Sequence, residues 1–324
     1  MRKASSQFWR RKIIQNQWFF LLLVVIALSV VATIVNPRYF TTRNLRNLLE
    51  QISVLGLLAS GATILIVSGN FDISVGANLG LSACVIGLLI GAGVAPVIAG
   101  FVGILTAVAA ASFVGGAALL FKAPSFIISL AGISVFQGLA LALTGGTLQT
   151  IYGEYETLGS TRFFDVLPLL FVVGLAGYLL VHFILSKTQL GRRVYAIGDN
   201  KRAAFLAGIH VTRNSMLFFV LNGVFVGLAA LLMIARVGAA QPSTGAGMEL
   251  QAIGSVVIGG APMTGGRGNI LGTFFGVLLW GVVANSLNMM RVNPYFQQVT
   301  IGLLIILAVA VSSLRSRAEG KLRQ

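Results

Sequence analysis

The stretch KTQLGRRVYAIGDNKRAAFLAGIHVTR, residues 187–213, decides how the rest of the chain reads. It separates two apolar runs, each long enough to cross a bilayer. It carries Lys187, Arg192, Arg193, Lys201, Arg202 and Arg213 against one acid, Asp199. Basic residues beside membrane spans are retained on the cytoplasmic side. The stretch therefore reads as a cytoplasmic loop, and it orients everything around it. Within it, 203–208 (AAFLAG) reads as a short helix after Asn200, too apolar for a free linker. A helix held in this place suggests docking onto a soluble partner. An ordinary positive-inside loop is the simpler alternative.

Working outward, 56% of residues are hydrophobic and only 10% are charged, against about 25% charged in an ordinary soluble domain. The expected fold class is all-α, a polytopic helical membrane protein. A β-barrel would show short alternating segments in place of unbroken apolar runs. The net charge of +15 sits in loops and tails beside those runs. There it orients the chain in the bilayer and makes no groove for nucleic acid.

Ten spans are expected: 18–35, 48–68, 75–91, 95–120, 125–144, 165–186, 214–235, 250–263, 269–290 and 296–314. Basic tails at 1–17 and 315–324 flank the membrane domain 18–314, and both are assigned to the cytoplasm. On this threading the outer Lys and Arg are Arg38, Arg43, Arg46, Arg162, Arg236 and Arg291; the other 17 of the 23 lie inside. That asymmetry supports the orientation. The weakest span is 250–263, short enough for a re-entrant segment. Glycine pairs four apart (Gly76 and Gly80, Gly87 and Gly91, Gly223 and Gly227, Gly268 and Gly272, then Gly276) form flat faces for close helix approach.

Chemistry concentrates in GNFDISVG, residues 69–76. An acid at membrane depth normally faces protein, water or a ligand. Asp72 has two readings that are compatible with each other. It caps a helix beginning near Ile73, or it lines a polar path for a hydroxyl-rich solute together with Asn70 and Ser74. Gln137, Asn222 and Asn285 are further path candidates, each equally suited to hydrogen-bonding between helices. Cys84 is the only cysteine, so no disulfide forms within the chain. His182 and His210 have no Cys or Glu at metal-ligand spacing and read as structural, so no metal site is expected. No catalytic motif is present, and no GxxxxGK[ST] phosphate loop. No cofactor is expected on this chain; if ATP supplies the energy, a partner binds it.

Three motifs now converge. GNFDISVG resembles the GGIDLSVG signature of the ribose-type permease subunits of bacterial ABC importers. TQLGRRVYAIGDNKRAAFLAGI (188–209) resembles their cytoplasmic segment TxxGRxxYAIGGNxxAAxxSGI. GMELQAIGSVVIGGAPMTGGRGNILGT (247–273) resembles their GxELxAIAAVVIGG…GGxGxxxGT segment. The order and approximate spacing agree, and the resemblance covers nearly the whole chain. It implies an ATPase-coupling segment containing Gly191, Arg192, Tyr195, Gly198, Asn200, Ala203, Ala204 and Gly208. It places Gly69, Asp72, Ser74, Val75 and Gly76 near the path, and Glu249, Gly259, Gly260, Gly265, Gly266, Gly268 and Gly272 in a third functional segment. Asn70, Phe71, Asp199 and Ala261–Pro262 depart from the pattern.

The resemblance implies a non-enzymatic subunit of the bacterial inner membrane that carries a sugar or sugar-like solute into the cytoplasm. Its expected partners are a cytoplasmic ATP-binding subunit, a periplasmic solute-binding protein meeting the outer loops near Glu154 and Pro242, and a second permease subunit. The alternative from another class is an ion-coupled secondary transporter with Asp72 as its coupling carboxylate.

Overall fold

The computed structural model describes residues 17–151, 153–293 and scattered positions from 296 to 306. Apart from Gln17, both basic tails fall outside these residues, as does most of the expected last span. In chain order the elements are α1 (Gln17–Val35), α2 (Thr42–Val67), α3 (Val75–Gly91), α4 (Pro96–Leu120), α5 (Ser125–Thr144), β1 (Gln149–Thr150), α6 (Glu156–Ser160), β2 (Arg162–Phe163), β3 (Leu167–Pro168), α7 (Leu169–Lys187), α8 (Gln189–Asp199), α9 (Lys201–Leu206), α10 (Val211–Val237), β4 (Ala239–Ala240), α11 (Met248–Ile258) and α12 (Ile270–Met289).

Among the described residues, seven helices (α1, α2, α4, α5, α7, α10 and α12) are long and apolar enough to cross a membrane. α3 and α11 are shorter apolar helices of 17 and 11 residues. At 1.5 Å per residue α11 is about 16 Å long, roughly half a hydrocarbon core. The expected span 250–263 is thus a half-helix. It starts at Met248 and ends at Ile258, just before Gly260 turns the chain with φ 104°.

α2 is the axis. From Ile52 to Val67 every residue is buried, because VLGLLASGATILIV is apolar or small on all sides. A helix hydrophobic all round is one surrounded by others. It packs against α7, α10, α11 and α12. Its polar residue Thr63 donates to the Ala59 carbonyl at 2.7 Å and meets Thr273 of α12 at 2.9 Å. α10 lies against α4 along Gly223 and Gly227, whose absent side chains admit the backbone of Val108 and Ile104. That pair serves as the sequence suggested. Gly76 and Gly80 do not: they receive the non-helical segment Pro242–Gly245. The outer faces of α1, α4, α5 and α7 carry exposed apolar side chains such as Ile34, Phe101, Leu139 and Phe183, a surface suited to lipid.

The bundle has two distinct ends. One holds α8 and α9. The other holds the loops, where β1 pairs antiparallel with β4 (Gln149 opposite Ala240) and β2 with β3 (Phe163 opposite Leu167). At that end Arg236 of α10 lies 3.8 Å from Glu50 of α2. Arg46 donates to the Asp165 carbonyl and Tyr155 to the Pro96 carbonyl.

Candidate functional site

The three sequence motifs, far apart in the chain, meet at one point beneath the C-terminus of α2. The Gly266 N–H donates to the Val67 carbonyl at 2.8 Å. A Cβ on Gly198, near the end of α8, would overlap that same carbonyl and stand 2.6 Å from the Gly266 nitrogen. A Cβ on Gly265 would stand 2.8 Å from the Gly69 nitrogen and 3.2 Å from the Gly198 carbonyl oxygen. Gly265 and Gly266 also hold φ values of 82° and 77°, which L side chains rarely adopt. The joint is built of backbone against backbone, so no flexible side chain can yield within it.

The expected helix 203–208 is displaced, and a second helix precedes it. α8 begins where the Thr188 hydroxyl accepts from the Gly191 N–H at 3.2 Å. Gly191 makes the tight corner against the last turn of α7. Asn200 is the cap of α9, its Oδ1 accepting from the Arg202 and Ala203 N–H groups, both at 2.9 Å. Helix formation therefore starts at Lys201, and Gly208 (φ 82°) closes it after Leu206.

The motif residues divide between two faces. Gly191, Val194, Ile197 and Ala204 are buried, and Tyr195 and Gly198 are partly buried against the bundle. The Tyr195 hydroxyl donates to the Gly268 carbonyl at 2.8 Å, and burial pushes its phenol above the usual pKa, keeping it a donor. Arg192, Arg193, Arg202, Ala203 and Gly208 face outward. Between them stand Phe205, 68% exposed, and Leu206, 75% exposed, which the sequence reading did not single out. Two large apolar side chains beside arginines mark a contact surface better than the motif letters do.

The polar interior centres on Asp72. Its Oδ1 accepts from the Ser74 N–H at 2.9 Å and from the Ser74 hydroxyl at 2.5 Å. Its Oδ2 accepts from Asn222 Nδ2 of α10 at 3.1 Å. Asp72 therefore shapes the turn ahead of α3 and ties it to α10. The helix begins at Val75, not at Ile73, with Ser74 in the cap position. Asn70 is buried and donates to the Ser68 hydroxyl at 2.9 Å. Of the six path candidates Asn70, Asp72, Ser74, Gln137, Asn222 and Asn285, the structure joins Asp72, Ser74 and Asn222 by direct hydrogen bonds.

Comparison with known proteins places the chain in a family. A family described as branched-chain amino acid transport system / permease component matches residues 44–309. The chain belongs to this permease family. It is 37% identical over 293 residues to the ribose import permease protein of Bacillus subtilis, covering 89% of this chain and 90% of that one. It is 35% identical over 305 residues to the D-allose transport system permease protein of Escherichia coli, covering 92% and 91%. It is 32% identical over 315 residues to the autoinducer 2 import system permease protein of Klebsiella pneumoniae, covering 97% and 89%. No solved structure matches. The permease is a multi-pass protein of the bacterial inner (plasma) membrane, which its seven long apolar helices fit.

In this permease Asn285 and Gln137 lie apart from the Asp72 set. Asn285 and Asn44 exchange amide hydrogen bonds at 2.8 and 2.9 Å, clamping α12 to the start of α2 near the looped end. Asn285→Ala is expected to lower stability by about 1–2 kcal/mol, since it leaves the buried Asn44 Oδ1 without its donor, while Asn44 Nδ2 keeps its bond to the Tyr39 carbonyl at 2.8 Å. Uptake per folded molecule should stay near wild type. Thermal unfolding in detergent beside uptake in vesicles checks this, and a selective loss of uptake would return Asn285 to the path. Gln137 is exposed midway along α5. An uncovered amide at that depth is costly in lipid. The ion-coupled alternative loses ground, because both oxygens of Asp72 are engaged by Ser74 and Asn222 and the relatives are import-system permeases.

Proposed function

We propose that this permease is the membrane-spanning subunit of an ATP-driven importer for a sugar or sugar-like solute. It works with a cytoplasmic ATPase, a solute-binding protein at the looped end and a second permease subunit. The observation that carries the reading is the two-faced segment α8–α9. One face is locked onto α2 and the Gly265–Gly268 turn; the other presents Phe205 and Leu206 among arginines. Such a segment receives force from a docked partner and delivers it to the bundle without storing it in loose side chains. The names of the relatives, which mention ribose, D-allose and autoinducer 2, support a small polyhydroxylated solute. Gln137 on α5 faces the second subunit, whose approach covers the amide and encloses the path between the two subunits. The end bearing α8 and α9 is cytoplasmic, consistent with Lys187, Arg192, Arg193, Lys201, Arg202 and Arg213 gathering there.

Mechanistically, closure of the ATPase pair moves α8–α9. The joint passes that movement to the end of α2 and to the break before α3. The permease supplies the path and the lever, and hydrolysis belongs to the partner.

Purification of tagged permease from its native membrane tests this. Wild type is expected to bring down an ATP-binding subunit. Phe205→Asp with Leu206→Asp is expected to lose it while the permease stays in the membrane at normal level, because burying a carboxylate in an apolar groove costs several kcal/mol. Uptake should fall to background. No ATPase on the wild type, or unchanged capture by the double variant, overturns the reading.

A further inference from the structure

The half-helix α11 joins two places that the motifs alone do not connect. At its C-terminal end the turn Gly259–Gly268 enters the joint. Gly266 is bonded to Val67 of α2, and Gly268 is bonded to Tyr195 of α8 at 2.8 Å. At its N-terminal end Glu249 anchors the start of the helix, Oε1 accepting from the Gly247 N–H at 3.1 Å. The Glu249 carboxylate also lies directly over Gly76 in the first turn of α3. The Gly245 carbonyl lies against Gly76 too, and those of Pro242 and Thr244 against Gly80. A short helix about 16 Å long thus spans from the joint to the packing that closes α3 near Asp72.

Hydrogen bonds join the turn both to α2 and to α8. The first is backbone to backbone, from Gly266 to Val67. The second comes from the Tyr195 hydroxyl and stands beside the backbone contacts of Gly198 with Gly265 and Gly266. When α8 moves, the Tyr195 bond draws the Gly268 end of the turn, and α11 with it, after α8. Resting on the importer reading above, we propose that Tyr195 is a positioning residue. Through Gly268 it passes the movement of α8–α9 to α11, which shifts as a rod and moves Gly245–Glu249 off Gly76. Tyr195 then acts inward on the permease itself and takes no part in gripping the ATPase. Its partly buried ring and inward hydroxyl fit this role, in contrast to the exposed Phe205 and Leu206 on the next helix.

Tyr195→Phe tests the role, since it removes one hydroxyl and keeps the ring. The assembled complex is reconstituted in vesicles, and solute uptake and ATP hydrolysis are measured together. The variant is expected to copurify with its ATPase as wild type does and to hydrolyse ATP within about twofold of it. Solute imported per ATP should fall at least fivefold. A purely structural role would lower both rates in proportion and leave that ratio unchanged; an unchanged ratio overturns the proposal. Loss of ATPase capture by Tyr195→Phe would also overturn it, because the residue would then serve docking. If wild type itself captures no ATPase, the importer reading fails and this inference falls with it.

Discussion

Gly198→Ala is expected to bring solute uptake to background while the permease still reaches the membrane. The new methyl group would occupy the space of the Val67 carbonyl and come within 2.6 Å of the Gly266 nitrogen. Both are backbone atoms, and the second donates the bond that the first accepts. No rotamer change relieves the overlap, so α8 must move away from α2. Overpacking of this kind costs about 1–3 kcal/mol or more, and here the strain falls on the contact proposed to carry the movement. Gly116→Ala is the control. It lies in α4 with open space around the added carbon, and alanine in a helix interior is if anything stabilising. Uptake assays on the two variants, normalised to permease in the membrane, should separate them by two orders of magnitude. Equal activity would remove the joint from the mechanism.

Asp72→Ala is expected to give the largest loss of stability. It removes three hydrogen bonds to a buried carboxylate and leaves the Ser74 N–H and the Asn222 amide without their acceptor. Hydrogen bonds to charged groups contribute about 1.5–3 kcal/mol each, and stranded buried donors add their own penalty. The contributions overlap, so a total of about 3–5 kcal/mol is expected, read as a lowered thermal midpoint in detergent. The double variant with Asn222→Ala should lose less than the two singles added, because both delete the same bond. Asp72→Asn keeps an oxygen to accept from Ser74 and should leave uptake dependent on ATP. Uptake that in wild type follows an ion gradient, and that Asp72→Asn abolishes, would instead make the carboxylate a coupling group.

Much of this protein was legible before folding. The long apolar runs with few charges read as helices in lipid, because only intrahelical hydrogen bonding satisfies a backbone there. The crowd of arginines and lysines at 187–213 marked the segment that folds as α8 and α9 at one end of the bundle. Asp72, Ser74 and Asn222 stood out because polar groups at membrane depth need partners.

The misses have physical causes. α8 is amphipathic, with Gly191, Val194, Ile197 and Gly198 toward the bundle, and that spacing was a signal for a helix before Asn200. The spacing of Gly76 and Gly80 announced a close approach but not the loop that makes it. Asn285 carried two readings, path residue and interhelical hydrogen bond, because an amide has the same chemistry in both; the structure shows its bond to Asn44.

By itself, the sequence determined the solvent, the helical class and the family, since all of these follow from local composition and from motifs in order. Only the tertiary structure decided that α11 is a half-helix, that Phe205 and Leu206 face outward, and that Gly69, Gly198 and Gly265–Gly266 form one joint. Those facts depend on which backbones touch. A glycine records only that something comes close; the neighbour is chosen by the packing of segments as distant as Val67, Gly198 and Gly266.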